Sequence, residues 1–339
     1  MFPNPDGITD STVLSPPDNR RLERIGWWLA VVASALLIAF TWTGYSSNSF
    51  HVDDIHTIVE NPSLRPEFPL ARIFSTTRAT SSLAEYAAYR PLTTLTYAID
   101  TRIGGKDDQT VFQLDSFLWF FITLFAVYGL VRLMPGADPF FGLLAAALCA
   151  VHPLASQALN YTSQRHLLLR TLGVALSLLV FVAWPSRMPE KFWFPVRRIP
   201  RNYLDVLIRR LRTIASNTWE LLLRINPPFY FVPLVFGLLA DPGTAIFPLI
   251  LIVWIKLFEP ETSLRKVIPS AVVCGIWWIA HTVMTWSSGA PVRPPLPNWW
   301  LTQPAVALDY VAAFFYPRNL TADSGVQTLA GISAPLLVE

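Results

Sequence analysis

The sequence predicts an all-α polytopic membrane protein of about seven transmembrane helices, with a cytoplasmic N-terminus and a large exported first loop carrying short amphipathic helices. Three observations carry that expectation. Hydrophobic residues make up 53% of the 339-residue chain and charged residues only 14%, where an ordinary soluble domain carries about 25% charge. The apolar residues fall in separated runs long enough for helices to enter or cross a bilayer. The basic residues concentrate in the connections on one side.

Residues 1–24 form a cytoplasmic tail rich in Pro, Asp, Asn and Ser, ending in Arg20, Arg21 and Arg24. The run 25–44 carries no charge and matches the ~20 residues needed to cross ~30 Å of hydrocarbon. No small-residue cleavage site follows it, so it reads as a retained helix and not a removed signal peptide. Further spans are expected at 112–133, 138–158, 166–184, 229–241, 244–258 and 267–285. The fifth and sixth are short for full crossings, and Asp241-Pro242-Gly243 separates them tightly. Two spans and a shallow hairpin are both open there. The transmembrane module thus occupies 25–286, with an exported loop at 45–110 and a basic cytoplasmic loop at 186–228. An exported Trp- and Pro-rich segment follows at 287–339.

The orientation follows from the basic residues. The loop 187–224 holds Lys191 and eight arginines against Glu190, Asp205 and Glu220. Arg20, Arg21, Arg24, Arg132, Arg265 and Lys266 fall on the same side when the N-terminus is inside. In the exported loop 45–110, six basic groups are outnumbered by eight acids. Leu204, Ile208, Leu211 and Ala215 recur at helical spacing beside arginines, as in an amphipathic helix lying on anionic lipid. Membrane lipid is therefore the first expected partner, and the net charge of +3 gives no reason to expect nucleic acid. No internal repeat is visible. Cys149 and Cys274 lie in apolar runs and read as small buried hydrophobes. The spans lack the paired charges and symmetric Gly/Pro breaks of a transporter.

Chemistry is expected on the exported face. Asp53 and Asp54 lie just past the first span. They read either as an N-cap for the stretch 55–64 or as a general base or metal ligand acting on a hydroxyl acceptor. Tyr89-Arg90-Pro91-Leu92 lies later in the same loop, where Arg90 either snorkels or holds a phosphate. His152-Pro153 ends the third span, and Arg165 and Arg170 enter the fourth. Ionisable groups inside a span are costly and are treated as functional by default. Arg170 lies deeper than Arg165 and should face protein or a wet cavity. All five histidines fall toward the exported half, which permits a divalent cation beside Asp53 or Asp54 without demanding one. No phosphate-loop, nucleophile-elbow or zinc-protease pattern is present.

In order, these landmarks resemble the GT-C-type, polyprenyl-phosphate-dependent membrane glycosyltransferases. Within them they resemble most the transmembrane and tetratricopeptide-repeat O-mannosyltransferase family. The residues that carry the resemblance begin with Asp53-Asp54, Val59-Glu60-Asn61-Pro62 and Tyr89-Arg90-Pro91-Leu92-Thr93. Val151-His152-Pro153-Leu154, Arg165 with Leu167-Leu168, and Thr302-Gln303, Tyr310, Pro317, Leu320 and Asp323 follow. The resemblance implies that Asp53 or Asp54 is the catalytic base. It also implies that Arg90, Arg165 and His152 hold the donor phosphate, with Tyr89, Asp241 and Asp323 in support. A protein or glycan hydroxyl would then attack the sugar with inversion while lipid phosphate leaves. The implied location is a bacterial inner membrane, or the endoplasmic reticulum in a eukaryote; the sequence stops at Glu339, before the further spans and repeat domain that usually follow in the family.

The chain departs from the family at two internal places. Phe112-Gln113 and Phe117-Leu118-Trp119-Phe120 stand where relatives often carry His and Asn, and Ala240-Asp241-Pro242 stands where they tend to have Ser-Lys-Glu. These departures support a second reading, a non-catalytic subunit of the same ancestry that docks other membrane subunits.

Overall fold

A computed structural model describes residues 49–183, 228–287 and 296–316, with scattered positions between 28 and 39. The tail 1–24, most of the first span, nearly all of the basic loop 186–228 and Asp323 lie outside the described residues. Of the described residues, 81% are helical and none is in a strand. Among the described residues, three helices are long and apolar enough to cross a membrane: Gln109–Arg132, Thr162–Ala183 and Leu264–Trp286. They coincide with the second, fourth and seventh expected spans.

Residues 50–112 fold on a small core of their own. Short turns at Ile55–Val59, Pro62–Leu64, Leu70–Ile73, Thr77–Thr80 and Ala84–Tyr86 lead into α1, Pro91–Gly104. Ile58, Leu64, Ile73 and Ala79 from the turns bury against Tyr97 and Ala98 of α1 and Phe112. Asn61 ties the turns together. Its amide donates to the carbonyls of Thr57 and Ala79, both at 3.0 Å, and its oxygen accepts from Ser63 N–H. Pro91 sits in the first turn of α1, where its missing N–H leaves no intrahelical bond unmade. Gly105 stops the helix at φ 82°, a conformation in which a Cβ would be strained.

Helix α2, Gln109–Arg132, is capped by Asp108, and α3, Pro139–Val151, by Asp138, whose Oδ1 accepts from Phe140 and Phe141 N–H. The third expected span, 138–158, is broken. Pro153 cannot donate to the helix and drives His152 into extended conformation (ψ 130°), so α3 ends and α4, Pro153–Asn160, begins. Helix α5, Arg165–Ala183, is central, packing on α2 and on α6, Phe231–Ala240. A Cβ on Gly173 would lie 2.5 Å from Gly237 Cα, so α5 and α6 meet where both lack side chains.

The chain then turns at Asp241 into Pro242–Ile246 and α7, Phe247–Phe258. Helix α6 is about 15 Å long at 1.5 Å per residue, half of a hydrocarbon core. Leu234 and Leu238 of α6 pack with Phe247, Leu251 and Trp254 of α7 and Cys274 of α8, Ile268–Ser287. Both cysteines are free; Cys274 is buried as expected, whereas Cys149 is exposed on α3. The segment 287–339, expected as an exported tail, contains a further apolar helix, α9, Leu296–Phe315.

Candidate functional site

Asp53 and Asp54 are neighbours in sequence with different surroundings. Asp54 is fully buried. Its Oδ1 accepts from Ser163 N–H at 2.6 Å and its Oδ2 from His51 N–H at 3.0 Å. The carboxylate thereby staples the turn at His51 to the corner before α5. Burial pushes its pKa above the usual carboxylate range, against the lowering effect of those N–H groups. The tight turn from His51 to Asp54 forces Val52 to φ 27°, an unfavourable value for a β-branched residue. Asp53 is swung outward, its side chain 39% exposed.

Asp53 lines a cavity of about 100 Å³ together with His56, Tyr86 and Arg90. Thr57, Thr80, Thr93, Ser163 and Gln164 add hydroxyl and amide groups, and Tyr97 and His166 complete the wall. Asp53 is held from two sides. His56 Nε2 lies 3.4 Å from its Oδ1, and its N–H donates to the Tyr161 hydroxyl at 3.0 Å. The Tyr161 phenol is pushed up to about 12, first by burial and further by the carboxylates of Asp53 and Asp54, against the opposing Asp53 N–H.

Positive charge collects beside Asp241, which is buried at the turn after α6. Arg90 Nε lies 3.2 Å from its Oδ2, Arg170 Nη1 donates to its Oδ1 at 3.2 Å, and His166 Nε2 is 3.7 Å from Oδ2. The Gly243 N–H also donates to Oδ1, at 2.8 Å. Two guanidinium groups, 29% and 37% exposed, thus share one carboxylate. Their two positive charges exceed the single negative charge of Asp241, and of the two only Arg90 lines the cavity, where it faces the same space as Asp53.

The other expected residues lie elsewhere. Arg165 is completely buried and does not line the cavity. Its Nη1 donates to Asp100 Oδ2 at 2.6 Å and to Thr96 Oγ1 at 3.0 Å, and pairs with Asp115 at 2.8 Å. Its Nε donates to Ser116 Oγ and its Nη2 to the Phe112 carbonyl. With the Tyr97 ring 4.7 Å away, its bonding capacity is used in fastening α1 and α2 to α5. His152 donates from Nε2 to the Phe314 carbonyl at 2.9 Å and stacks on that ring, linking the α3–α4 break to α9. Tyr89 is buried, with its hydroxyl donating to the Phe74 carbonyl. Of the expected residues, Asp53 and Arg90 therefore line the cavity, and Asp241 does not line it but contacts Arg90.

His56, Tyr86, Tyr161 and His166 were not singled out from the sequence as site residues. Arg170 carried a signal, its depth in an apolar helix, and its partner is Asp241. Among the described residues, no group of three or more His, Cys, Asp or Glu side chains is arranged to hold a metal ion.

No family model and no solved structure matches this chain. It is similar to Protein O-mannosyl-transferase F38B6.6 of Caenorhabditis elegans, with 26% identity over 175 residues. The similarity covers 50% of this chain and 25% of that protein. The chain is thus distantly related to a protein O-mannosyltransferase over half its length.

Proposed function

We propose that the chain is a GT-C-like membrane glycosyltransferase module. It moves a sugar from a polyprenyl-phosphate donor to a hydroxyl acceptor on the exported face. The observation that supports this best is the pairing of a half-exposed carboxylate, Asp53, with Arg90 in one hydroxyl-lined cavity. Asp241 brings Arg170 and His166 beside Arg90. The distant similarity to a protein O-mannosyltransferase supports the same chemistry and suggests mannose as the first sugar to test.

In this mechanism the acceptor oxygen bonds to the anomeric carbon from the face opposite the phosphate. Its proton passes to the Asp53 carboxylate as the bond between the anomeric carbon and the phosphate oxygen breaks. Inversion follows from the single displacement. Arg90 and Arg170 take up the charge left on the lipid phosphate, which is where fixed cations lower a barrier most. Asp241 keeps the two guanidinium groups together. Arg165 has no part in donor binding and instead holds the frame. No metal is assigned a role.

The test uses the full chain in lipid nanodiscs, radiolabelled polyprenyl-phosphate mannose and a Ser/Thr-rich peptide. Asp53→Asn should lower transfer by about 10²-fold or more, and Arg90→Gln should lower it by a similar factor. Transfer unchanged in both variants would remove the assigned base and phosphate site. The second reading, a non-catalytic subunit, is favoured by the cavity's size. About 100 Å³ is well below the ~300 Å³ at which small-molecule sites usually begin. Absence of transfer, together with a stoichiometric membrane partner on purification, would select it.

A further inference from the structure

The imidazole beside Asp53 is more constrained than a wall residue needs to be. His56 lies on the π-helical turn Ile55–Val59, three residues after Asp53, so both side chains share one side of the turn. Its ring stacks on Tyr86, with centroids 4.6 Å apart and planes 20° from parallel. Its carbonyl accepts from Ser82 N–H at 2.9 Å, and its Nδ1 lies 2.9 Å from Ser81 Oγ. Ser81 Oγ already accepts from Leu83 N–H at 3.0 Å. Nδ1 also lies 3.3 Å from Thr57 Oγ1. The Asp53 carboxylate oxygen opposite Nε2 accepts and does not donate, which places the ring hydrogen on Nε2 and leaves Nδ1 to accept from the hydroxyls beside it. That hydrogen faces Asp53 Oδ1.

We propose that His56 is a positioning residue, held by Ser81 and Tyr86, that occupies one oxygen of Asp53 and leaves the other for the acceptor hydroxyl. The inference rests on the glycosyltransferase reading, because it assigns Asp53 the acceptor's proton. A carboxylate on a short, half-exposed side chain samples several rotamers. The Tyr161 hydroxyl anchors the Asp53 backbone, and the His56 N–H selects the carboxylate orientation. As the acceptor attacks, its O–H bond breaks and a new O–H bond forms on the unoccupied Asp53 oxygen. The His56 N–H stays in place throughout and gains no proton. Tyr86 backs the ring on the face it stacks against.

Two variants separate positioning from bulk. His56→Gln retains an N–H near the position of Nε2, and His56→Leu removes it. With polyprenyl-phosphate mannose and the peptide acceptor, His56→Leu should lower kcat by about 10²-fold, the usual effect of a small misplacement. Acceptor KM should stay within about twofold, as expected when an interaction matters only in the transition state. His56→Gln should recover most of the rate, and Ser81→Ala, acting through the ring, should fall between them.

A second readout does not depend on transfer. Asp53 is labelled with a water-soluble carbodiimide and an amine, and the modified peptide is quantified by mass spectrometry. Labelling should rise several-fold in His56→Leu and return to the wild-type rate in His56→Gln. Equal labelling in wild type and His56→Leu, or Gln no better than Leu, overturns the clamp. Wild-type protein that shows the labelling pattern but transfers no mannose overturns the glycosyltransferase reading and leaves the clamp standing.

Discussion

Replacing Arg165 with Met tests the division between frame and site most directly. Arg165 is fully buried, and two carboxylates, Asp100 and Asp115, lie within 2.8 Å of its Nη1. Removing one member of a buried ion pair costs ~3–5 kcal/mol, because the partner is left charged in a poorly solvated place. Asp100 shows the scale of that effect. Burial raises its pKa from 3.8 to about 6 even with Arg165 in contact. That rise corresponds to ~3 kcal/mol against the ionised form.

The sign is set by the raised folded-state value. Asp100's contribution to stability is complete below 3.8 and is lost as pH climbs through about 6. In Arg165→Met the carboxyl loses its main lowering influence, so its proton is held more tightly still. The variant should therefore be most damaged at pH 8 and less so at pH 5, where Asp100 is largely neutral. At ~2–4 °C per kcal/mol, the midpoint at pH 8 should drop by about 10 °C. The assay is heating of the full chain in detergent, followed by size-exclusion chromatography of what remains dispersed. Arg165→Met/Asp100→Asn should regain more than half of the loss. A wild-type midpoint at pH 8, or an equal drop at both pH values, would refute the argument.

Asp54→Asn should lower stability by ~1–3 kcal/mol, since an amide can accept one of the two N–H bonds but opposes the other with its own N–H. It should also remove a pH-dependent contribution, one present below the ordinary carboxylate range and lost as pH rises through the raised folded value. Thermal midpoints at pH 4 and pH 8 measure both effects. Asp53→Asn, half-exposed, should leave the midpoint unchanged. Gly173→Val should destabilise by ~1–3 kcal/mol or more, because its side chain has only Gly237 Cα and the Pro233 carbonyl to displace. Melting of that variant at the wild-type temperature would mean that α5 and α6 do not approach as closely as described.

Hydrophobic run length made the spans 112–133, 166–184 and 267–285 legible, and the corresponding helices occupy nearly those bounds. Run length was blind to the break at His152. Residues 139–151 are apolar, and the steric demand of Pro153 on His152 marks where α3 ends. It was equally blind to α9, which lies in the segment expected as an exported Trp- and Pro-rich tail. The carboxylate pair was visible, but adjacency cannot reveal that Ser163, 109 residues away, claims Asp54 and leaves Asp53 to the cavity.

Arg165 shows why the default rule for intramembrane charge needs a second step. An arginine in an apolar helix must be compensated, and compensation by a neighbouring carboxylate is as effective as compensation by a ligand. Asp100 and Asp115, 65 and 50 residues earlier, supply it. Arg170 is compensated likewise by Asp241, across 71 residues. The buried charges of this chain are best paired with each other before any is assigned to substrate. After that pairing, what distinguishes a working group is exposure. Arg165 and Asp54 are sealed in protein, whereas Asp53 and Arg90 keep 39% and 29% of their side-chain surface accessible while still held by neighbours. A group that must take a proton from one molecule and meet the charge on another requires both access and restraint. Among the residues flagged from the sequence, Asp53 and Arg90 have that combination on a shared cavity wall.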